Sequence, residues 1–149
     1  MIRHATDSDA DALATLHRRC FAPRGERVWP AAEWAALFTN RATHCLVVDE
    51  DRLVGALLMQ IGGDCADIIT IMTDPAKQQS GIGRALLDAG MAHLPPLGVS
   101  RLMLEVAADN LAARALYTRA GFLPIGTRPH YYKRSGTDRV DALLLACDL

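Results

Sequence analysis

The segment Gln78-Gln79-Ser80-Gly81-Ile82-Gly83 has the residue types and spacing that point most directly to chemistry. It follows a strand-like run and precedes a helix-like one. The first N–H groups of a helix have no carbonyl partner inside the helix, and the helix dipole makes that end positive. Because glycine lets an anion come close to those groups, the turn could hold a phosphate. Arg84 could add an ionic contact.

The two glycines alone do not identify a ligand, because an ordinary tight strand-to-helix connection can contain the same pair. A P-loop requires Gly-x-x-x-x-Gly-Lys-Ser/Thr, and a dinucleotide fingerprint requires a third glycine where Leu86 stands. The sequence has neither pattern at this turn. It has instead a glutamine three positions before the first glycine, and Asp74-Pro75 closing the preceding strand.

The elements that must position this turn alternate between strand and helix patterns. Ser8 and Asp11 have the spacing of a capping box, Leu13 and His17 follow at helical intervals, and Pro30 can begin a second helix. The expected order is strand 2–5, a helix from about 8, a loop over 21–29, a helix from 30, strands 45–48, 53–61 and 66–73, the turn, helix 81–94, strand 101–107, helix 110–121, and strands 122–125 and 140–146.

This order predicts an α/β (α+β) fold in one domain over residues 1–149. The sheet should be mixed and mostly antiparallel, with six to seven strands and about four helices on its faces. Asn110 is a good N-cap for the helix that follows it. We expect the break at Asp109-Asn110 to splay the sheet in the middle and open a crevice for a ligand.

Composition argues against several classes of function. The net charge of −1 lacks the positive excess of a protein whose main partner is a nucleic-acid backbone. No run approaches the roughly 20 apolar residues of a membrane span, so we expect a cytoplasmic protein without a membrane partner. Cys20, Cys45, Cys65 and Cys147 are far apart and lack histidine partners at ligand spacing, so we expect buried free thiols and no metal.

The turn and its surroundings resemble the acetyl-coenzyme A motif of the GNAT acetyltransferases, in the form Gln78-x-x-Gly81-x-Gly83 after Ile71-Met72-Thr73-Asp74-Pro75. The second half of that family's core resembles Leu104-Glu105-Val106, Asn110-x-x-Ala113-x-x-Leu116-Tyr117 and Ala120-Gly121-Phe122. The ending is similar to that of the bacterial ribosomal-protein-alanine N-acetyltransferases, over Gly126–Tyr132 and Asp141–Ala146. In that narrower family an asparagine is usual where His130 stands, and an acidic residue where Val140 stands.

The resemblance implies a GNAT fold and an acetyl-CoA-dependent N-acetyltransferase that works by direct attack in a ternary complex. Glu105 would be the general base, Tyr117 the general acid, and Asn110 would hydrogen-bond the coenzyme's arm. The other implied coenzyme contacts are the backbone of Ile71, Met72 and Thr73 on the pantetheine arm, and the amides of Gln79, Ser80, Gly81, Ile82, Gly83 and Arg84 on the pyrophosphate. From the residues alone, a salt-bridged glutamate and a core tyrosine stay open as alternatives for Glu105 and Tyr117.

The acceptor implied by the narrower resemblance is the N-terminal α-amine of a protein, for instance a small-subunit ribosomal protein. Tyr131 and Tyr132, with Arg128 nearby, could form a wall for an extended peptide. Alternatives are a GNAT enzyme acting on a small-molecule amine or a lysine side chain, and a non-catalytic acyl-CoA-binding module. The presence of both Glu105 and Tyr117 argues against the last. The chain could act as a monomer or a homodimer.

Overall fold

A computed structural model describes residues 1–134 and 138–149, which form one seven-stranded sheet covered by helices on both faces. The strands are β1 (Ile2–His4), β2 (Thr43–Asp49), β3 (Leu53–Gly62), β4 (Cys65–Thr73), β5 (Arg101–Ala107), β6 (Leu123–Lys133) and β7 (Arg139–Asp148). The helices are α1 (Ala10–Phe21), α2 (Ala31–Leu37), α3 (Ile82–His93) and α4 (Leu111–Arg119), with short 3-10 turns at Asp7–Asp9, Ala22–Arg24, Pro75–Lys77 and Pro95–Leu97.

The strand order in the sheet is β1-β2-β3-β4-β5-β7-β6. All neighbours are antiparallel except β4 and β5, which run parallel. The prediction of a mixed, mostly antiparallel sheet with about four helices is therefore confirmed. No helix of the described residues is long and apolar enough to cross a membrane.

The sheet splays between β4 and β5. These two strands pair over only three residue pairs, from Cys65↔Arg101 to Asp67↔Met103, and then diverge. Directly after the last pair, the register of β4 against β3 shifts so that Ile69 has no partner. Because a bulge of this kind bends the strand that carries it, the extra residue turns β4 away from β5.

We expected the break at Asp109-Asn110 to open the crevice, but the sheet opens at a different point in the chain. The opening begins about 40 residues earlier in the chain, at the bulge in β4, although β5 leads directly to Asn110.

Two apolar clusters lie on opposite faces of the sheet, since successive side chains of a strand point to opposite sides. On β3, Leu57 packs with α3 and α4, whereas Leu58 packs with α1 and α2. Trp34 of α2 is completely buried in the second cluster. Helices α3 and α4 therefore approach the cleft from one face of the sheet, and α1 approaches it from the other.

Several predicted boundaries differ from the structure, among them the start of α1 and the end of β6. The capping box is formed by Thr6 and Asp9, not by Ser8 and Asp11, and α1 begins at Ala10. Asp9 is chosen because its carboxylate accepts hydrogen bonds both from the Thr6 N–H and from Arg3.

The strand predicted at 122–125 extends to Lys133 as β6. It contains Pro124 and Pro129, which an edge strand tolerates at bulges because it needs hydrogen bonds on one side only. The cysteines also differ from expectation, since only Cys45 is buried and the other three are partly exposed.

Candidate active site

The divergence of β4 and β5 opens a cleft of about 830 Å³. Its walls are residues 68–73 of β4, the first turn of α3, residues 104–107 of β5, one side of α4, and the end of α1 with the loop after it. The pattern at residues 78–83 therefore lies beside Glu105 and Tyr117, as the sequence predicts. Of the fifteen predicted site residues, Ser80, Arg128 and Tyr131 do not line this cleft.

The glycine turn has the geometry of an anion site. Gly81 is the N-cap of α3 with φ +86°, a left-handed conformation that glycine adopts without strain. In the described residues, the N–H groups of Ile82, Gly83 and Arg84 have no backbone acceptor, as expected for a first helical turn. They open on the cleft and can receive a pyrophosphate.

The side chains of the turn contribute less than its backbone does. The guanidinium of Arg84 pairs with Asp88, Nε to Oδ1 at 2.9 Å. The Ser80 hydroxyl donates to the carbonyl of Lys77 and is exposed. Neither contact blocks the backbone N–H groups, so the turn remains available to an anion.

Asn110 caps α4, where its side-chain oxygen accepts the N–H of Ala113 at 3.3 Å. This contact fixes the orientation of the carboxamide at the cleft wall. Its NH₂ group has no partner among residues 1–134 and 138–149. A carbonyl oxygen on a ligand is the group that this NH₂ could bind.

Glu105 lies in β5, and 30% of its side-chain surface is exposed. Its Oε1 accepts a hydrogen bond from Nη2 of Arg128 at 2.7 Å. The group is half-open and ion-paired, so the salt-bridged glutamate left open from the residues alone describes its environment. Arg128 orients Glu105 through one oxygen, and the side chain still forms part of the cleft wall.

Tyr117 lies in α4 at the cleft, with only 5% of its surface exposed. Its ring packs edge-on against Phe122 with 5.6 Å between centroids. Burial, and to a smaller degree Tyr132, raises the pKa of the Tyr117 phenol to about 12. The described residues provide no hydrogen-bond partner for the hydroxyl, which can therefore bind a group in the cleft.

A bulge between β6 and β7 separates the two adjacent tyrosines. Arg128 is opposite Ala142 and Tyr132 is opposite Val140, so three residues of β6 face a single residue of β7. His130, at φ +52°, donates its N–H to the Asp141 carboxylate at 2.9 Å.

The bulge leaves only Tyr132 on the cleft. Tyr131 is exposed beneath the guanidinium of Arg128, 4.5 Å from its ring centroid. Of the three residues predicted to form a substrate wall, Tyr132 lines the cleft, and Arg128 contacts a cleft residue through its ion pair with Glu105.

The sequence interpretation missed the residues that α1 and the following loop bring to the cleft. His17, Phe21, Glu26 and Trp29 all line it. His17 follows Leu13 at a helical interval, and this spacing gives no indication of a ligand. The available signal was the polar loop at 21–29, because loops held by a rigid scaffold often carry binding residues.

No group of three or more histidine, cysteine, aspartate or glutamate side chains suited to a metal occurs in the described part of the chain.

Comparison with known proteins places this geometry in a family. Residues 10–122 match the model of the acetyltransferase (GNAT) family. The ribosomal protein bS18-alanine N-acetyltransferase of Escherichia coli is 33% identical over 118 residues, which are 79% of each chain. An uncharacterized protein of Mycobacterium leprae is 37% identical over 139 residues, which are 89% of this chain. This chain spans only 37% of the length of that protein.

Solved structures agree with the sequence comparison. The crystal structure of the E. coli ribosomal-protein-S18-alanine N-acetyltransferase has a TM-score of 0.88 and 29% identity, over 99% of this chain and 92% of that one. A Salmonella typhimurium protein crystallised with its cofactor acetyl-CoA has the same fold, with a TM-score of 0.84 and 19% identity over 100% and 93%. The chain belongs to the acetyltransferase (GNAT) family.

Proposed function

We propose that the protein transfers the acetyl group of acetyl-CoA to the N-terminal α-amine of a protein, by direct attack in a ternary complex. One observation carries this proposal: the anion-binding turn of α3, the open edge of β4, Glu105 and Tyr117 share one cleft that is open to both faces of the sheet. We assign the whole activity to one domain, residues 1–149.

The coenzyme side of the cleft fits acetyl-CoA in three ways. The free N–H groups of the first α3 turn match a pyrophosphate. The backbone of β4 over Ile71–Thr73 is paired with β3 on one edge and open on the other, so it can pair with the amides of a pantetheine arm. The NH₂ group of Asn110 can donate to a carbonyl of the same arm. A structural relative was crystallised with acetyl-CoA, which supports this choice of cosubstrate.

The residues on the other wall fit acyl transfer to an amine. The attacking amine must be neutral, and Glu105 takes up its proton as the bond from nitrogen to the carbonyl carbon forms. Breaking the carbon–sulfur bond then leaves a thiolate, which receives the proton of the Tyr117 phenol. Glu105 and Tyr117 thus have opposite proton-transfer roles in one reaction.

The α-amine is favoured over the lysine amine as the acceptor, because removing its proton costs less free energy. An α-amine has a reference pKa of about 7.7–8.0 and is partly neutral at pH 7, whereas a lysine near about 10.4 needs roughly 3.4 kcal/mol more. A single, partly exposed carboxylate suits the first task better. The E. coli relative is named for acetylation of a ribosomal protein, which supports the same choice.

The acceptor class is tested by offering acetyl-CoA with matched acceptors and following thiol release. We expect turnover of a peptide with a free N-terminus and an acetylated internal lysine. The same peptide with an acetylated N-terminus and a free lysine is the control, and small polyamines complete the panel. Turnover confined to polyamines or to the lysine peptide would contradict the proposal. Acetyl-CoA binding without turnover of any acceptor would favour a non-catalytic binding module.

Replacing Gly81 with alanine is expected to weaken coenzyme A binding about 5- to 30-fold. Alanine in the left-handed conformation costs about 1–2 kcal/mol, so the turn will relax and misdirect its N–H groups. Gly98→Ala is a matched control, because Gly98 has φ +84°, open space at its Cβ position and no part in the cleft. Calorimetry should show similar losses of thermal stability in both variants, but weaker coenzyme binding only in Gly81→Ala. Equal coenzyme affinity in the two would argue against the turn as the pyrophosphate site.

A further inference from the structure

We propose that His17 is a specificity-determining residue that donates its Nε2–H to the carbonyl oxygen beside the acceptor's amine. The inference rests on the proposed N-terminal acetyltransferase activity and adds how a peptide terminus is told from other amines. An N-terminal residue carries a carbonyl on the carbon that bears its amine. Lysine side chains and polyamines have none there.

His17 is held rigidly by the segment that follows α1. Its ring is 3% exposed and lies between Phe21 and Trp29, at centroid distances of 4.4 Å and 4.8 Å. The Nδ1 atom accepts the backbone N–H of Trp29 at 3.2 Å. Because Nδ1 is an acceptor, the neutral ring must carry its proton on Nε2. The fold therefore fixes both the orientation and the tautomer of His17.

The electrostatic surroundings keep this ring neutral. Burial lowers the pKa of His17, and the positive charge of Arg27 lowers it further, while Glu33 opposes them in part. A charged ring would also place an Nδ1–H against the Trp29 N–H. Near pH 7 His17 thus presents one donor, Nε2–H, and no net charge.

The Nε2 atom is free to meet a ligand. No described residue forms a hydrogen bond with it. The described side-chain nitrogen and oxygen atoms that are fully sealed and unpartnered are Trp34 Nε1 and Arg101 Nε. Nε2 of His17 is not among them, and His17 is part of the cleft wall, so this atom reaches the open space of the cleft. A buried N–H without a protein partner is costly, so an oxygen of a ligand in the cleft that accepts its hydrogen bond stabilises the complex.

The position of His17 assigns it to the acceptor. The coenzyme turn and Tyr117 belong to α3 and α4, which lie on one face of the sheet, whereas α1 lies on the other. The adjoining loop brings Glu26 to the same wall, close enough to Tyr132 and Arg134 to affect their pKa values. His17 therefore lies with the acceptor-side residues.

The test compares alaninamide with 3-methylbutan-2-amine, in which an isopropyl group of similar shape replaces the carboxamide. The measured quantity is the ratio of kcat/KM for the two acceptors, because dividing each variant's ratio by that of the unaltered protein cancels the different basicities of the amines. We expect His17→Leu to lower this ratio about tenfold, with the KM for acetyl-CoA unchanged. His17→Gln, whose amide can both accept from Trp29 and donate to the ligand, should keep the ratio within about threefold.

His44→Leu is the matched control, since His44 lies outside the cleft, and its ratio should not change. Circular dichroism identifies any variant that fails to fold. If His17→Leu does not fold, the test compares the ratio of His17→Gln with that of the unaltered protein. Equal losses for the two acceptors in His17→Leu, or a raised KM for acetyl-CoA, would overturn the role of His17 alone. Turnover of neither amine and of no peptide with a free N-terminus by the unaltered protein, with acetyl-CoA bound, would overturn the proposed acceptor class and this inference together.

Discussion

Replacing Tyr117 with phenylalanine is expected to lower kcat at least about 100-fold, the usual contribution of a well-placed general acid. The fold should survive, because the hydroxyl has no hydrogen-bond partner among the described residues and the ring contact with Phe122 is kept. The affinity for acetyl-CoA should stay within about twofold, because the phenol gives its proton to the coenzyme's sulfur only as the carbon–sulfur bond breaks. The effect should therefore fall on the chemical step.

The high pKa of Tyr117, about 12, is compatible with an acid role because the same cleft also makes thiols more basic. Cys20 lines the same cleft, and burial raises the pKa of its thiol to about 11. A thiolate released in such surroundings is correspondingly more basic than in water. The burial that raises the pKa of the Tyr117 phenol thus raises the pKa of a leaving thiol as well, so the proton transfer from phenol to thiolate is not made correspondingly harder.

The measurement is single-turnover kinetics at saturating acetyl-CoA and acceptor, with coenzyme affinity obtained separately by titration. Phe122→Leu is a suitable control, because it disturbs the same ring pair without removing a hydroxyl. An unchanged single-turnover rate in Tyr117→Phe would remove Tyr117 from the acid role. A large loss of coenzyme affinity would show that the hydroxyl binds the coenzyme instead.

Replacing Asp74 with asparagine is expected to destabilise the protein by about 3 kcal/mol. The Asp74 side chain is 0% exposed. Its Oδ1 accepts from Arg19 and from the Ala76 N–H, each at 2.9 Å, and its Oδ2 accepts from Arg52 at 3.1 Å. Asparagine keeps the volume but loses the charge, and its NH₂ faces a guanidinium. The loss of unfolding free energy should lie at the lower end of the range for breaking a buried ion pair, because both arginines remain partly exposed.

The effect should depend on pH in a defined direction. Burial alone would raise the pKa of Asp74, but the Ala76 N–H and the two arginines more than offset it, and the net pKa is lowered. A carboxyl with a lowered folded-state pKa adds stability above its unfolded value of about 3.9 and loses it as the pH falls through the folded value. The free energies of unfolding of the unaltered protein and of Asp74→Asn should thus differ by the full amount at neutral pH. This difference should shrink below about pH 4.

Urea unfolding at several pH values measures both effects. Asp49→Asn is the matched control: Asp49 accepts two hydrogen bonds from Arg3, but its side chain is 35% exposed. Asp49→Asn should lower the free energy of unfolding by no more than about 1 kcal/mol, which is the usual contribution of an exposed ion pair. Equal losses in Asp74→Asn and Asp49→Asn would contradict the buried-charge account.

Local signals made most of the candidate site predictable. The glycine turn sets the start of α3, Asn110 caps α4 as expected, and β5 has the predicted bounds. These features depend on residues within a few positions of one another, so a single sequence contains their cause. The relative placement of the turn, Glu105 and Tyr117 followed from the family resemblance.

Features set by distant residues were not predictable. Ile69 becomes a bulge only through the register of β4 on β3, which no local pattern specifies. The Arg128–Glu105 ion pair joins positions 23 apart in sequence and depends on β7 lying between β5 and β6. The choice of Asp9 as the capping residue depends on Arg3, whose guanidinium also binds Asp49 of β2, 46 positions from Arg3 in the sequence. Each case required tertiary contacts to decide between locally acceptable alternatives.

The short parallel pairing of β4 and β5 also has a mechanical consequence. In the described residues, β4 and β5 pair over three residue pairs, next to a hydrogen bond from the Ser100 N–H to the Asp64 carbonyl, and beyond them each half has a strand edge facing the gap. Beyond this pairing the two halves are held together by the apolar cluster under α3 and α4 and not by backbone hydrogen bonds between β4 and β5. A ligand that contacts both strand edges links the two halves of the sheet. Its binding should therefore stabilise the folded protein and reduce the motion of one half relative to the other.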